Sequence, residues 1–278
     1  MLGKLIKHEF KATGKSFVLL FGATLALTIF SKIGMNLPFD NFIWRIIIGV
    51  AAVGCVFCIF AGFIVAFVIM IYRFYNNMLK DEGYLSHTLP VKSWQHLISK
   101  LVTDLVWLLA SIAVSFLSLF IIYVMEHGSS MLEGFNTFLE AVNEYPRLIG
   151  YIAGICVLLI LLFLLGMLEI FAALALGHMF SKHRIFASVV FYFVLNYLLV
   201  TIGAILTNGL MLVFPKLSNN LRHMHIQMSE VGAFEEYMEV LDSTLLQMFA
   251  VCAVIEIVII GICFFVTNYV MSKKLNLE

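Results

Sequence analysis

Charge is scarce in this sequence. Lysine and arginine number 17 of 278 residues, aspartate and glutamate another 17, and 62% of positions are hydrophobic. A soluble domain has about 25% charged and roughly 45–50% apolar residues, so the composition excludes a soluble fold and implies an integral membrane protein. The formal net charge is +0; with no basic surplus, no nucleic-acid partner is expected. Proline is rarer still. Pro38, Pro90, Pro146 and Pro215 all lie between apolar runs, so no proline marks the broken helices on which many secondary transporters build their sites.

Catalytic and nucleotide motifs are missing too. The chain has no G-x-x-x-x-G-K-[ST], H-E-x-x-H or G-x-S-x-G, so it is expected to hold no catalytic site and no cofactor, and not to hydrolyse ATP by itself. Cys55, Cys58, Cys156, Cys252 and Cys263 lie inside apolar runs, away from the loops where a disulfide framework would place them. Cys55 and Cys58 form a C-x-x-C with no ligand cluster beside it, which reads as small apolar packing. A cleavable leader is not expected: the first apolar run begins only after residue 16 and lacks a small-x-small end.

What is present is apolar length. A helix needs about 20 mostly apolar residues to cross the hydrocarbon core, and Phe17–Ile33, Ile46–Tyr72, Leu101–Met125, Leu148–Phe180, Ile185–Phe214 and Leu245–Met271 qualify. None alternates polar with apolar as a membrane β-strand does. The expected fold is therefore an all-α integral membrane protein with six transmembrane helices, forming one domain over residues 1–278.

The placement of the basic residues sets the orientation. With both termini inside, Lys4, Lys7, Lys11, Lys15, Arg73, Lys80, Lys92, Lys100, Lys182, Arg184, Lys273 and Lys274 are cytoplasmic, twelve of the seventeen. Lys32, Arg45, Arg147, Lys216 and Arg222 remain outside, where ten of the acidic residues also fall. The expected location is the plasma membrane, multi-pass, with cytoplasmic termini. Before the first span, Leu2, Ile6 and Phe10 step by four among lysines. That pattern suits an amphipathic helix over residues 1–16 lying in the inner interface, or an ordinary basic flank.

The outer loops Glu126–Arg147 and Pro215–Thr244 are moderately acidic. In the second, Val231, Phe234, Tyr237, Met238 and Leu241 recur at helical steps, which predicts a short amphipathic helix. His223 and His225 read as solvated rather than as metal ligands, and no metal is expected.

Glu169 and Glu256 lie deep within spans. At 1.5 Å per residue they sit roughly 15 and 20 Å from their inner helix ends, and Asn196 about 16 Å from its own. The three are candidates for one intramembrane polar layer. Such a layer serves either as a proton- or substrate-responsive site or as hydrogen-bonded packing glue. No intramembrane lysine or arginine completes an ion path, which favours the glue.

The segment between the second and third runs is polar and able to turn. Arg73 through Asn77 carry the second helix beyond the apolar run, and Lys80-Asp81-Glu82-Gly83 supply charge and a flexible residue. Pro90 suits the first turn of a new helix, along which Trp94, Leu97, Ile98 and Leu101 form an apolar stripe. Residues 73–100 therefore read as a cytoplasmic helix-turn-helix.

Asp81 through Pro90, D-E-G-Y-L-S-H-T-L-P, resembles the E-G-Y-L-x-x-T-L-P connector of ATP-binding-cassette (ABC) exporter permeases of the type-two class, common in Gram-positive bacteria. The opening Leu2–Lys11 is similar to the amphipathic amino-terminal helix of that group, and Ser181-Lys182-His183-Arg184 to its turn between spans four and five. The resemblance implies a permease that pairs with a second permease subunit, as homodimer or heterodimer, and docks on two separate ATPase subunits, where ATP and magnesium are held. It implies that the connector is the coupling helix, with Asp81, Glu82, Gly83, Tyr84, Leu85, Thr88, Leu89 and Pro90 as the ATPase contacts. The expected function is outward movement of a hydrophobic or amphipathic substrate. Two other readings are weighed against it: a proton-coupled secondary transporter using Glu169 and Glu256, and a non-transporting membrane scaffold or sensor subunit.

Overall fold

The computed structural model describes residues 2–36, 42–80, 83, 91–144, 147–180, 183–213 and 234–273. Its elements are helices: α1 Leu2–Asn36, α2 Phe42–Phe74 continued by a π-helical turn Tyr75–Leu79, α3 Ser93–Glu144, α4 Arg147–Gly177, α5 Arg184–Val213 and α6 Phe234–Lys273. A lipid-exposed backbone has no water to bond with, so a spanning segment must satisfy its own N–H and C=O groups, as a helix does. Among the described residues six helices are long and apolar enough to cross a membrane: Leu2–Gly34, Phe42–Leu79, Ser93–Ile122, Arg147–Gly177, Arg184–Gly209 and Thr244–Ser272. The chain is a multi-pass membrane protein.

Three helices run well past their expected bounds, each for a local reason. α1 runs unbroken through residues 16 and 17, so the amino-terminal stretch is no separate helix. At 1.5 Å per residue a helix of that length spans roughly 52 Å, well beyond the ~30 Å hydrocarbon core. α3 continues to Glu144 through the stretch expected as an outer loop from Glu126. That stretch contains no proline, and the helix stops just before Pro146, which disfavours helical backbone in the residue ahead of it. α6 begins at Phe234 and fuses the expected short amphipathic helix to the last span, because no glycine or proline interrupts residues 234–260. His223, His225 and Val231 lie outside the described residues.

The chain divides into two compact units, Met1–Leu139 and Glu140–Glu278. The first, built on α1, α2 and most of α3, exposes large apolar side chains and buries hydroxyls among apolar ones. Leu19 is 78% exposed and Phe57 70%, while Thr28, Ser99, Thr103 and Ser118 are buried to 2% or less. Lipid tails offer no penalty to exposed leucine, so hydroxyls and small groups collect between the helices. Most of these hydroxyls bond to their own helix: Thr28 donates to the Thr24 carbonyl at 2.8 Å and Thr103 to that of Ser99 at 2.8 Å. Lys32 is buried as well, its Nζ donating to the Ile122 carbonyl at 2.9 Å.

In the second unit α4 packs on both α5 and α6, and glycines permit the approach. A Cβ at Gly154 would meet the Phe249 ring at 2.5 Å, and one at Gly177 would meet the Ser188 backbone. The Phe249 ring can swing aside. Gly154→Ala is therefore expected to cost about 1 kcal/mol, measured as a modest fall in the thermal midpoint of the chain in lipid vesicles.

Candidate functional site

The connector leaves α2 through a widened turn. The Lys80 N–H donates to the Tyr75 carbonyl five residues back, at 3.1 Å. One extra residue per turn brings Met78 and Leu79 inward together, each 1% exposed. Such π turns occur frequently at functional sites. Gly83 is buried, and its N–H donates to the Lys80 carbonyl at 2.7 Å. Asp81, Glu82, Tyr84, Leu85, Thr88, Leu89 and Pro90 lie outside the described residues. The chain resumes at Val91, and the Gln95 N–H donates to the Lys92 carbonyl at 2.9 Å as α3 begins. Of the expected apolar stripe on α3, Leu97 and Leu101 are buried and Trp94 is 36% exposed.

At the connector end of these helices lies a charge cluster in the first unit. Glu9 on α1 accepts from both neighbours: Oε2 from the Arg73 guanidinium of α2 at 3.0 Å, and Oε1 from the Lys100 ammonium of α3 at 2.9 Å. Charge-assisted bonds of this length are roughly twice as strong as neutral ones. Lys100 is 4% exposed, so the pair is held away from water. Asp104 lies one turn further along α3, 7% exposed, and within electrostatic reach of Lys100, Glu9 and Arg73. Its Oδ2 is buried with no hydrogen-bond partner among the described residues.

An aromatic cluster continues the same seam. Trp107 stacks on Phe17 with ring centroids 4.3 Å apart and planes 5° from parallel, and Phe10 packs at 5.8 Å. The Trp107 indole N–H donates to the Thr13 hydroxyl at 2.8 Å. α1 and α2 pack closely, whereas α1 reaches α3 through these long side chains. The result ties α1 to both arms of the connector.

Counting lysines and arginines for orientation treats each as an independent charge, so the Glu9–Arg73–Lys100 pairing was not foreseen. One signal was available: Asp104 is an acid inside an apolar run, four residues from a lysine.

The candidate intramembrane layer belongs to the second unit. Glu169 on α4 is buried, with the Asn196 side chain of α5 within electrostatic reach of it. Its Oε1 has no partner among the described residues. Cys263 on α6 is within electrostatic reach of Glu169. Glu256 lies seven residues earlier on α6, about 10 Å along the axis, and its charge acts on Cys252. The structure thus sets Asn196 within electrostatic reach of Glu169 and places Glu256 two turns from the Glu169 neighbour Cys263. Among the described residues no three His, Cys, Asp or Glu side chains converge as a metal site.

No family model, curated protein or solved structure matches the chain.

Proposed function

We propose that the chain is the membrane-spanning permease subunit of a type-two ABC exporter. It moves a hydrophobic or amphipathic substrate outward with ATP hydrolysed by separate partner subunits, and it works beside a second permease, identical or related. Both termini and the connector face the cytoplasm of the cell membrane, in keeping with the bias of twelve basic residues against five. ATP and magnesium belong to the partner.

The observation that carries this reading is the D-E-G-Y-L-S-H-T-L-P spelling of the connector. The charge cluster beneath it supports the reading mechanically. A push on the connector is received by α2 and α3, and the Arg73–Glu9–Lys100 bonds pass it to α1 without local chemistry. Transmission of this kind needs rigid elements with two arrangements.

Isolation of the tagged chain from its native membranes in mild detergent tests the reading. An ATPase subunit is expected to co-purify in stoichiometric amount. A chain that purifies without one, and whose transport persists after ATP depletion, contradicts the reading. The proton-coupled alternative draws on the buried Glu169 carboxyl. It predicts that Glu169→Gln abolishes transport, whereas packing glue predicts that the amide serves almost as well as the acid.

A further inference from the structure

The charge cluster holds an asymmetry that the exporter reading does not require. Glu9 binds two cations with its two oxygens, while Asp104, buried beside them, leaves Oδ2 without a partner among the described residues. Lys100, Glu9 and Arg73 all lie within electrostatic reach of the buried Asp104. Lys100 and Asp104 are four residues apart on α3, the spacing at which side chains on one helix face meet.

We propose that Glu9 and Asp104 are alternative seats for the Lys100 ammonium, so that the amino-terminal part of α1 is held by an exchangeable latch. In the observed arrangement Lys100 sits on Glu9 and α1 is docked. When the first turns of α1 move away and take Glu9 with them, Lys100 turns to Asp104. Stranding a buried charge is what makes breaking a buried ion pair costly, and the reserve carboxylate removes that cost. Arg73, at the end of α2 with 22% of its side chain exposed, has water to turn to. The docked and released states of α1 are thereby brought close in free energy, as a moving element requires. The aromatic seam around Trp107 reports which state is occupied.

The test is a thermal-unfolding series on the full chain in phosphatidylcholine–phosphatidylglycerol vesicles. It is read by Trp107 emission in a Trp44→Phe, Trp94→Phe background. Asp104→Asn alone leaves the midpoint unchanged or raises it, because Lys100 is on Glu9. Glu9→Gln lowers it. The Glu9→Gln, Asp104→Asn double variant falls by more than the two single changes together, since Lys100 then has no carboxylate. Additive changes overturn the proposal, as does a fall for Asp104→Asn as large as that for Glu9→Gln. If the double variant fails to accumulate, adding Lys100→Met removes the stranded cation and restores accumulation; failure to restore it also overturns the proposal.

Discussion

Reversing the two connector charges, with Asp81→Lys and Glu82→Lys together, is expected to abolish association with the ATPase while leaving the chain inserted in the membrane. Like charges brought face to face across an interface cost several kcal/mol and slow encounter. A coupling contact of ten residues, Asp81–Pro90, has little else to offset that loss. Insertion is expected to survive because the new lysines strengthen the side already rich in lysine and arginine. Co-purification of the ATPase, compared with the amount of chain resisting alkaline extraction from membranes, measures both halves. Normal co-purification from the reversed-charge variant would sink the prediction.

The second large effect lies in the other unit. Gly177 closes α4, and a Cβ there would lie 2.6 Å from the Ser188 nitrogen and 2.7 Å from its Cα, besides meeting the hydroxyl. Gly177 has no left-handed φ, so its role is close approach and not backbone freedom. Ser188 is buried and sits in the second turn of α5, where its hydroxyl donates to the Arg184 carbonyl at 2.9 Å. Backbone cannot step aside as the Phe249 ring can, so Gly177→Val must part α4 from α5. The expected cost is about 3 kcal/mol, the upper end of the usual overpacking range. Yield of folded chain after detergent extraction, with Gly154→Ala as the milder comparison, measures it. Equal yields from the two variants would contradict this account of Gly177.

Much of the fold was legible because lipid imposes a simple rule on sequence. Apolar runs of sufficient length became helices, and the fifth, expected over Ile185–Phe214, is observed over Arg184–Val213. Polar helix was not legible from hydropathy. Residues 126–144 carry Glu126, Glu133, Glu140 and Glu144 and read as a loop, although they lack the proline that would have ended the helix. The π turn at Tyr75–Leu79, which buries Met78 and Leu79 together, has no signature in composition. The charge cluster was hidden for another reason. Glu9 is separated from Arg73 by 64 positions and from Lys100 by 91, and periodicity within one helix says nothing about pairing between helices. Asn196 and Glu169 were matched in depth from helix rise alone, and Asn196 lies within electrostatic reach of Glu169. Glu256 was placed at a similar depth by the same arithmetic, yet rise gives no azimuth around the helix.

The claim at the centre of this account is that the segment from Asp81 to Pro90 touches an ATPase. The most direct measurement is a photo-cross-linking amino acid at Tyr84, activated in intact native membranes, with the same group at exposed Thr137 of α3 as the control. The account predicts a single adduct of the chain with an ATPase subunit from position 84 and none from position 137. Adducts confined to lipid at position 84, or the same protein adduct from both positions, would contradict it.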